Sequence, residues 1–175
     1  MLLVQTDWAQ NKIIDLVTKR LSRDLNTEVS VKRIGLRFFN KLSLEGTLVR
    51  DQQKDTLLYA GRLKLEITDW FFFKNDIELK YIGLENALIN LHRTDSVWNY
   101  QFIIDSLAPA KPSDPKTKSD VQLYLKTLAL NNVYVKYKDE WLGQDMIGSI
   151  GSLDLTAEEF NITRKKIFIN SLILD

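Results

Sequence analysis

One stretch limits the folds open to this chain more than any other: Ile77–Leu91, IELKYIGLENALINL. Apolar residues alternate at Ile77 and Leu79, change phase across Tyr81, alternate at Ile82 and Leu84, and change phase again to Ala87, Ile89 and Leu91. Period-two alternation marks a strand with one buried face. Each phase change predicts a bulge or bend, because a one-residue slip would otherwise turn the apolar set toward water.

The same pattern recurs. In Val121–Tyr137, residues Leu123, Leu125, Leu128, Leu130, Asn132, Val133, Val135 and Tyr137 stand for Ile77, Leu79, Ile82, Leu84, Asn86, Ala87, Ile89 and Leu91. Leu42, Leu44, Gly46 and Val49 match Ile82, Leu84, Asn86 and Ile89, and Ile167–Leu174 matches the first half of the pattern. The flanking run Gly61, Leu63, Leu65, Ile67 and Trp70 returns as Gly151, Leu153, Leu155, Ala157 and Phe160, shifted by 90 positions. A long repeat made of strands predicts an elongating sheet, and a chain that is a piece of something longer.

Around this repeat, Asp7–Leu25 has the spacing of an amphipathic helix, with Ile13, Ile14, Leu16, Val17, Leu21 and Leu25 periodic and Asn26-Thr27 as its stop. Glu28–Phe39 reads as a strand kinked at Lys32-Arg33, followed by Leu42–Arg50 and Thr56–Asp69. Val97–Ile104 reads as a strand with Trp98, Tyr100 and Phe102 on one side. Three units are expected: residues 1–107 with the helix and first repeat, a Pro/Ser linker over 108–120, and a second, truncated repeat over 121–175. The expected fold class is α+β: an amino-terminal helix, then a large, curled, mostly antiparallel sheet with an open apolar groove.

The groove follows from size. About ten strands at roughly 4.8 Å each make a sheet nearly 50 Å wide. A single helix of about 19 residues is roughly 28 Å long and 10 Å across, and covers only part of it. The remainder must be met by curling, by another subunit, or by lipid. Candidate lining residues are Leu44, Leu63, Leu65, Ile67, Leu79, Leu84, Ile89, Leu91, Leu125, Leu130, Val135, Leu153 and Leu155, some of which must lie under the helix instead.

Other chemistries find little support. Net charge is +1 with both signs spread along the chain, which leaves no footprint for nucleic acid. Cysteine is absent, so disulfides, thiolate catalysis and thiolate metal sites are excluded, and no cofactor is implied. His92, the single histidine, reads as a strand end before a turn. Asp139-Glu140 and Glu158-Glu159 read as solvated charges between strands, and Arg164-Lys165-Lys166 as a hairpin loop. GQDMIGSIG (143–151) lacks the GK[ST] ending of a phosphate loop, so its glycines are assigned to turns. No enzyme is indicated. Trp70, Phe71, Phe72 and Phe73 cannot all face one core from a strand: they suit contact with lipid or a partner, while a corner packed on the helix is the simpler reading.

Leu42–Asp51 (LSLEGTLVRD), Asp55–Ala60 (DTLLYA), Leu63–Trp70 and YIGLENALINLHRTDSVWNYQF (81–102) together resemble the amino-terminal part of AsmA-like proteins, in particular TamB-type translocation and assembly proteins of Bacteroidetes-like bacteria. That resemblance implies a periplasmic protein anchored in the inner membrane by an amino-terminal helix. This chain has at most a remnant of it in Met1–Val4, which read equally well as an initiator Met and a few core residues. It also implies a chorein-like groove along which phospholipid acyl chains pass toward the outer membrane, and an outer-membrane barrel partner for the full-length protein. An interaction scaffold for outer-membrane protein assembly is the alternative it leaves open.

Overall fold

The computed structural model describes residues 7–37, 40–67, 77–107, 121–122, 125–161 and 166–175. It opens with helix α1, Asp7–Asp24. Residues spaced three and four apart put Ile13, Ile14, Val17 and Leu21 on one stripe, and Val17 is fully buried. The helix closes where the sequence places its stop. Asn26 takes the left-handed conformation (φ 50°), Asn26 N donates to the Arg23 carbonyl, and Thr27 N donates to that of Ser22. These bonds satisfy carbonyls that the last turn leaves open.

Among the described residues nine strands follow: β1 (Val29–Ser30), β2 (Arg33–Arg37), β3 (Lys41–Arg50), β4 (Thr56–Ile67), β5 (Ile77–Arg93), β6 (Val121–Gln122), β7 (Thr127–Asp139), β8 (Gln144–Asn161) and β9 (Lys166–Leu174). The sheet is open and runs β1-β3-β4-β5-β7-β8-β9, with β2 also paired to β3, and β6 to β5. Every pairing is antiparallel except those of β5 with β6 and with β7. The architecture is therefore α+β with a large, mostly antiparallel sheet, as the alternation predicts.

The repeat is laid side by side in space. In the parallel β5–β7 pair, Ile82, Leu84, Ala87, Ile89 and Leu91 face Leu128, Leu130, Val133, Val135 and Tyr137, the same correspondences that the sequence pattern makes. The 90-residue shift is kept as well. Leu63 pairs with Leu84 and Leu65 with Ile82 in the β4–β5 hairpin; Leu153 pairs with Leu174 and Leu155 with Leu172 in β8–β9.

The second phase change has one structural cause in all three copies. Gly46, Asn86 and Asn132 hold φ of 60°, 51° and 51° at equivalent places in β3, β5 and β7. Glycine and asparagine are the residues that enter this region at least cost. The Asn132 amide donates to Asn86 Oδ1 at 2.7 Å and ties the two positions together, with the strand register unbroken across them. At Gly46 the Lys32 chain lies so close that an added Cβ would come within 2.6 Å of it. This is the kink expected at Lys32-Arg33, and it separates β1 from β2.

Three expectations are corrected. Val97–Ile104 is not a strand: Trp98 makes only an isolated bridge to Arg93, and Gln101–Leu107 forms a second helix, α2. The cause is Asn99, whose side chain donates to Asp51 and to the Asn90 carbonyl and accepts from His92 N, folding the chain back before the alternation can extend. Glu158-Glu159 lies within β8, at its register shift against β9, not between strands. Of the glycines in 143–151, only Gly143 (φ 67°) serves a turn; Gly148 and Gly151 sit inside β8.

Candidate apolar face

Residues paired across neighbouring strands point to the same side of a sheet. One row therefore crosses seven strands as Ile34, Leu44, Leu63, Leu84, Leu130, Leu153 and Leu174. A second runs through Leu42, Leu65, Ile82, Leu128, Leu155 and Leu172, and a third through Val29, Val49, Leu58, Ile89 and Val135. No polar residue interrupts them.

Cover over this face is uneven. Under α1, Val17, Val31, Ile34, Leu42 and Leu44 form a buried cluster, with Leu63, Leu65 and Leu79 packed against its edge. A second cluster of Ala60, Leu84, Ala87 and Val133 lies further along, flanked by the half-buried Leu63, Ile89, Leu130, Val135 and Ile150. Beyond it Leu153 and Leu155 are half-buried, while Leu172 and Leu174 are exposed.

The expected lining residues thus separate into groups. Leu44 is sealed beneath α1 and cannot line an open surface; Leu63, Leu65 and Leu79 border the helix. Leu84 is buried by its neighbours, as is Leu125 ahead of β7. Ile89, Leu91, Leu130, Val135, Leu153 and Leu155 are half-buried and clear of the α1 cluster. Ile67 pairs with Leu79 at the end of β4. Trp70, Phe71, Phe72 and Phe73 lie outside the described residues, as do Arg164 and Lys165.

Before the second phase change the reverse face is largely polar; beyond it Leu48, Tyr59, Leu88 and Tyr134 form an apolar row there. The polar row, Arg33, Glu45, Arg62, Glu85, Asn131 and Ser152, carries linked ion pairs. Arg62 reaches Glu45 at 3.6 Å and Glu85 at 2.9 Å, and Lys64 also bonds Glu85. The Lys64 hydrogen bond, helped by Arg62, holds the Glu85 carboxyl below the usual carboxylate range. A depression of about 690 Å³ opens on this polar side, bordered by Lys41, Glu45, Arg62, Lys64, Glu66 and Tyr81. Its charges are paired, so it offers no unmatched site for an ion.

One polar group escaped the reading of the sequence. Asp139 is not a solvated loop charge: it is fully buried. Arg93 grips both of its oxygens, Trp141 N and Leu142 N donate to Oδ1, and the Arg93 guanidinium lies 4.9 Å from the centre of the Trp98 ring. The Arg93 hydrogen bond is the main cause that lowers this carboxyl below its ordinary value. Asp51 does the same work at the β3–β4 loop, accepting from Gln53 N, Asp55 N and Asn99. The available signal was an aspartate opening both repeat loops, DQQKD and DEWLG. With every acceptor engaged in holding loops, neither group is placed for acid–base chemistry. His92 Nε2, itself screened from solvent, stands 3.4 Å from the Glu140 carboxylate on the rim of the sheet.

Among the described residues, no group of His, Cys, Asp and Glu is arranged to hold a metal ion, and no helix is long and apolar enough to cross a membrane. The chain matches no protein-family model and no curated protein.

Proposed function

We propose that this chain carries phospholipid acyl chains along its apolar face, as the inner-membrane end of a longer periplasmic protein that works with an outer-membrane barrel partner. The observation that supports this reading is the uninterrupted apolar row from Ile34 to Leu174, of which α1 seals only the first positions. A buried methylene is worth about 0.8 kcal/mol, so an acyl chain laid across several half-covered leucines gains a useful free energy with no bond made or broken. The paired charges around Arg62 and Glu85 give that part of the sheet a side that water can wet while the other side takes lipid.

Mass spectrometry of lipids extracted from the purified protein tests the proposal. Phospholipids are expected to copurify, and to be depleted when Leu130 and Val135 are both changed to Asp in a variant that keeps its far-ultraviolet circular dichroism. A lipid-free preparation, with the apolar face closed instead by association of copies, would support the scaffold reading.

A further inference from the structure

The two halves of the repeat carry equivalent loops, and the tips of those loops differ. Asp51 opens the first, DQQKD, and Asp139 opens the second, DEWLG. In each, the opening carboxylate accepts the amide of the residue two along, Gln53 in one and Trp141 in the other. The first tip has the polar composition usual for turns, Gln52, Gln53 and Lys54. The second puts Trp141 and Leu142 in that place, 61% and 59% exposed. Loose backbone is not the reason: Glu140 N donates to the Arg93 carbonyl, and Trp141 N and Leu142 N donate to the buried Asp139. Nor is a missing neighbour the reason. In the first half Asn99 lies against the Asp51 loop, and Gln52, Gln53, Lys54 and Asp55 are all exposed even so. A second turn on the same rim adds Val97, 56% exposed, whose amide donates to Asp95. Arg93 meets both turns, since it also bridges to Trp98.

We infer that this rim, Trp141 and Leu142 with Val97 beside them, is a contact site for the surface of a lipid bilayer. Area favours a bilayer over a protein. Even counted at the upper size of an aromatic, about 250 Å² each, three side chains at this exposure leave roughly 450 Å² to bury. A stable protein interface takes roughly 800 Å² from each partner. A bilayer needs no matching shape, and tryptophan is the side chain best suited to its headgroup level, with an apolar ring and one N–H for water. The nearest charges are already matched, Lys138 with Glu140 and Arg93 with Asp139, so the contact rests on apolar insertion and not on headgroup charge. The inference stands apart from the acyl-chain reading, which concerns the face of the sheet and not its rim.

The probes are vesicles of phosphatidylcholine, with and without added phosphatidylglycerol. The chain has no natural cysteine, so an environment-sensitive dye on Leu142→Cys is a unique label, and the same dye on Gln53→Cys marks the equivalent tip of the first half. A blue shift is expected at position 142 and none at 53, alike with both vesicles and unaltered by high salt. Trp141→Ser combined with Leu142→Ser is expected to lower cosedimentation with vesicles more than about tenfold, in a protein that keeps its far-ultraviolet circular dichroism. The acyl-chain reading is tested apart from this one, by lipid copurification in the Leu130 and Val135 variant. Failure of the parent to sediment with vesicles, a shift at 53 equal to that at 142, equal sedimentation of the serine variant, or loss of binding in high salt would each overturn the inference. So would a blue shift at 142 that rises with protein concentration in the absence of vesicles, because a second copy would then be what covers the tip.

Discussion

Leu84 and Leu174 occupy the same place in the repeat and make the same cross-strand pair, yet Leu84 is 7% exposed and Leu174 is 67% exposed. Leu44 and Leu130 are likewise equivalent, and only Leu44 is completely sealed. The two halves share a pattern and differ in what surrounds it: α1 covers β1 to β3, Leu84 is enclosed with Ala60, Ala87 and Val133, and nothing equivalent among the described residues covers β8 and β9. Alternation fixes which side of a strand is apolar, whereas burial depends on whether a second layer arrives. Mutations at paired repeat positions should therefore give unequal losses.

The largest inequality is expected between Leu44→Ala and Leu174→Ala. The first removes a sealed side chain and should cost about 2–5 kcal/mol. The second alters an exposed one and should stay within about 0.5 kcal/mol. Urea unfolding of both variants checks this, and equal losses would break the comparison. At the loop ends the inequality reverses, since Asp139 is held by Arg93 whereas Asp51 has the neutral Asn99. Asp139→Asn should lower the melting temperature by on the order of 10 °C and Asp51→Asn by less.

The pH dependence sharpens that second contrast. The folded-state pKa of Asp139 is depressed, so its contribution is complete above the unfolded carboxylate value of about 3.9 and disappears as pH falls through the lower folded value. An acid titration of stability should therefore be shallower in Asp139→Asn than in the parent below about pH 4. Identical acid limbs would mean that the carboxylate is not held as described.

The smallest effect belongs to the left-handed residues at the second phase change. Gly46→Ala forces a side chain into φ 60° and should cost about 1–2 kcal/mol. Asn132→Gly keeps the backbone easy and loses the exposed bond to Asn86, a change of about 0.5 kcal/mol or less. Chemical denaturation of the two variants ranks them, and a larger loss for Asn132→Gly would show that the asparagine contact, not the backbone conformation, sets the phase change.

Much of this was legible because a β pattern with a repeat constrains itself. Asn86, Asn132 and Gly46 fall at the second phase change, and the 90-residue shift aligns Leu63 with Leu153 from the residues alone. The parallel order of β5 and β7 could not be read, since alternation is the same in either direction. Trp98, Tyr100 and Phe102 misled for a related reason: three alternating aromatics satisfy a strand template, and only the long-range bonds of Asn99 turn them toward α2. Asp139 was hidden because its partner, Arg93, lies on another strand 46 residues away.

The central claim concerns the half of the apolar face that α1 leaves uncovered, and site-resolved photo-crosslinking to phospholipid measures it most directly. A photoreactive residue placed in turn at Val135, Leu153, Leu44 and Arg62 should capture lipid at Val135 and Leu153, and little at the sealed Leu44 or on the polar face at Arg62. Capture that is equal at all four positions, or absent from Val135 and Leu153, would contradict the account.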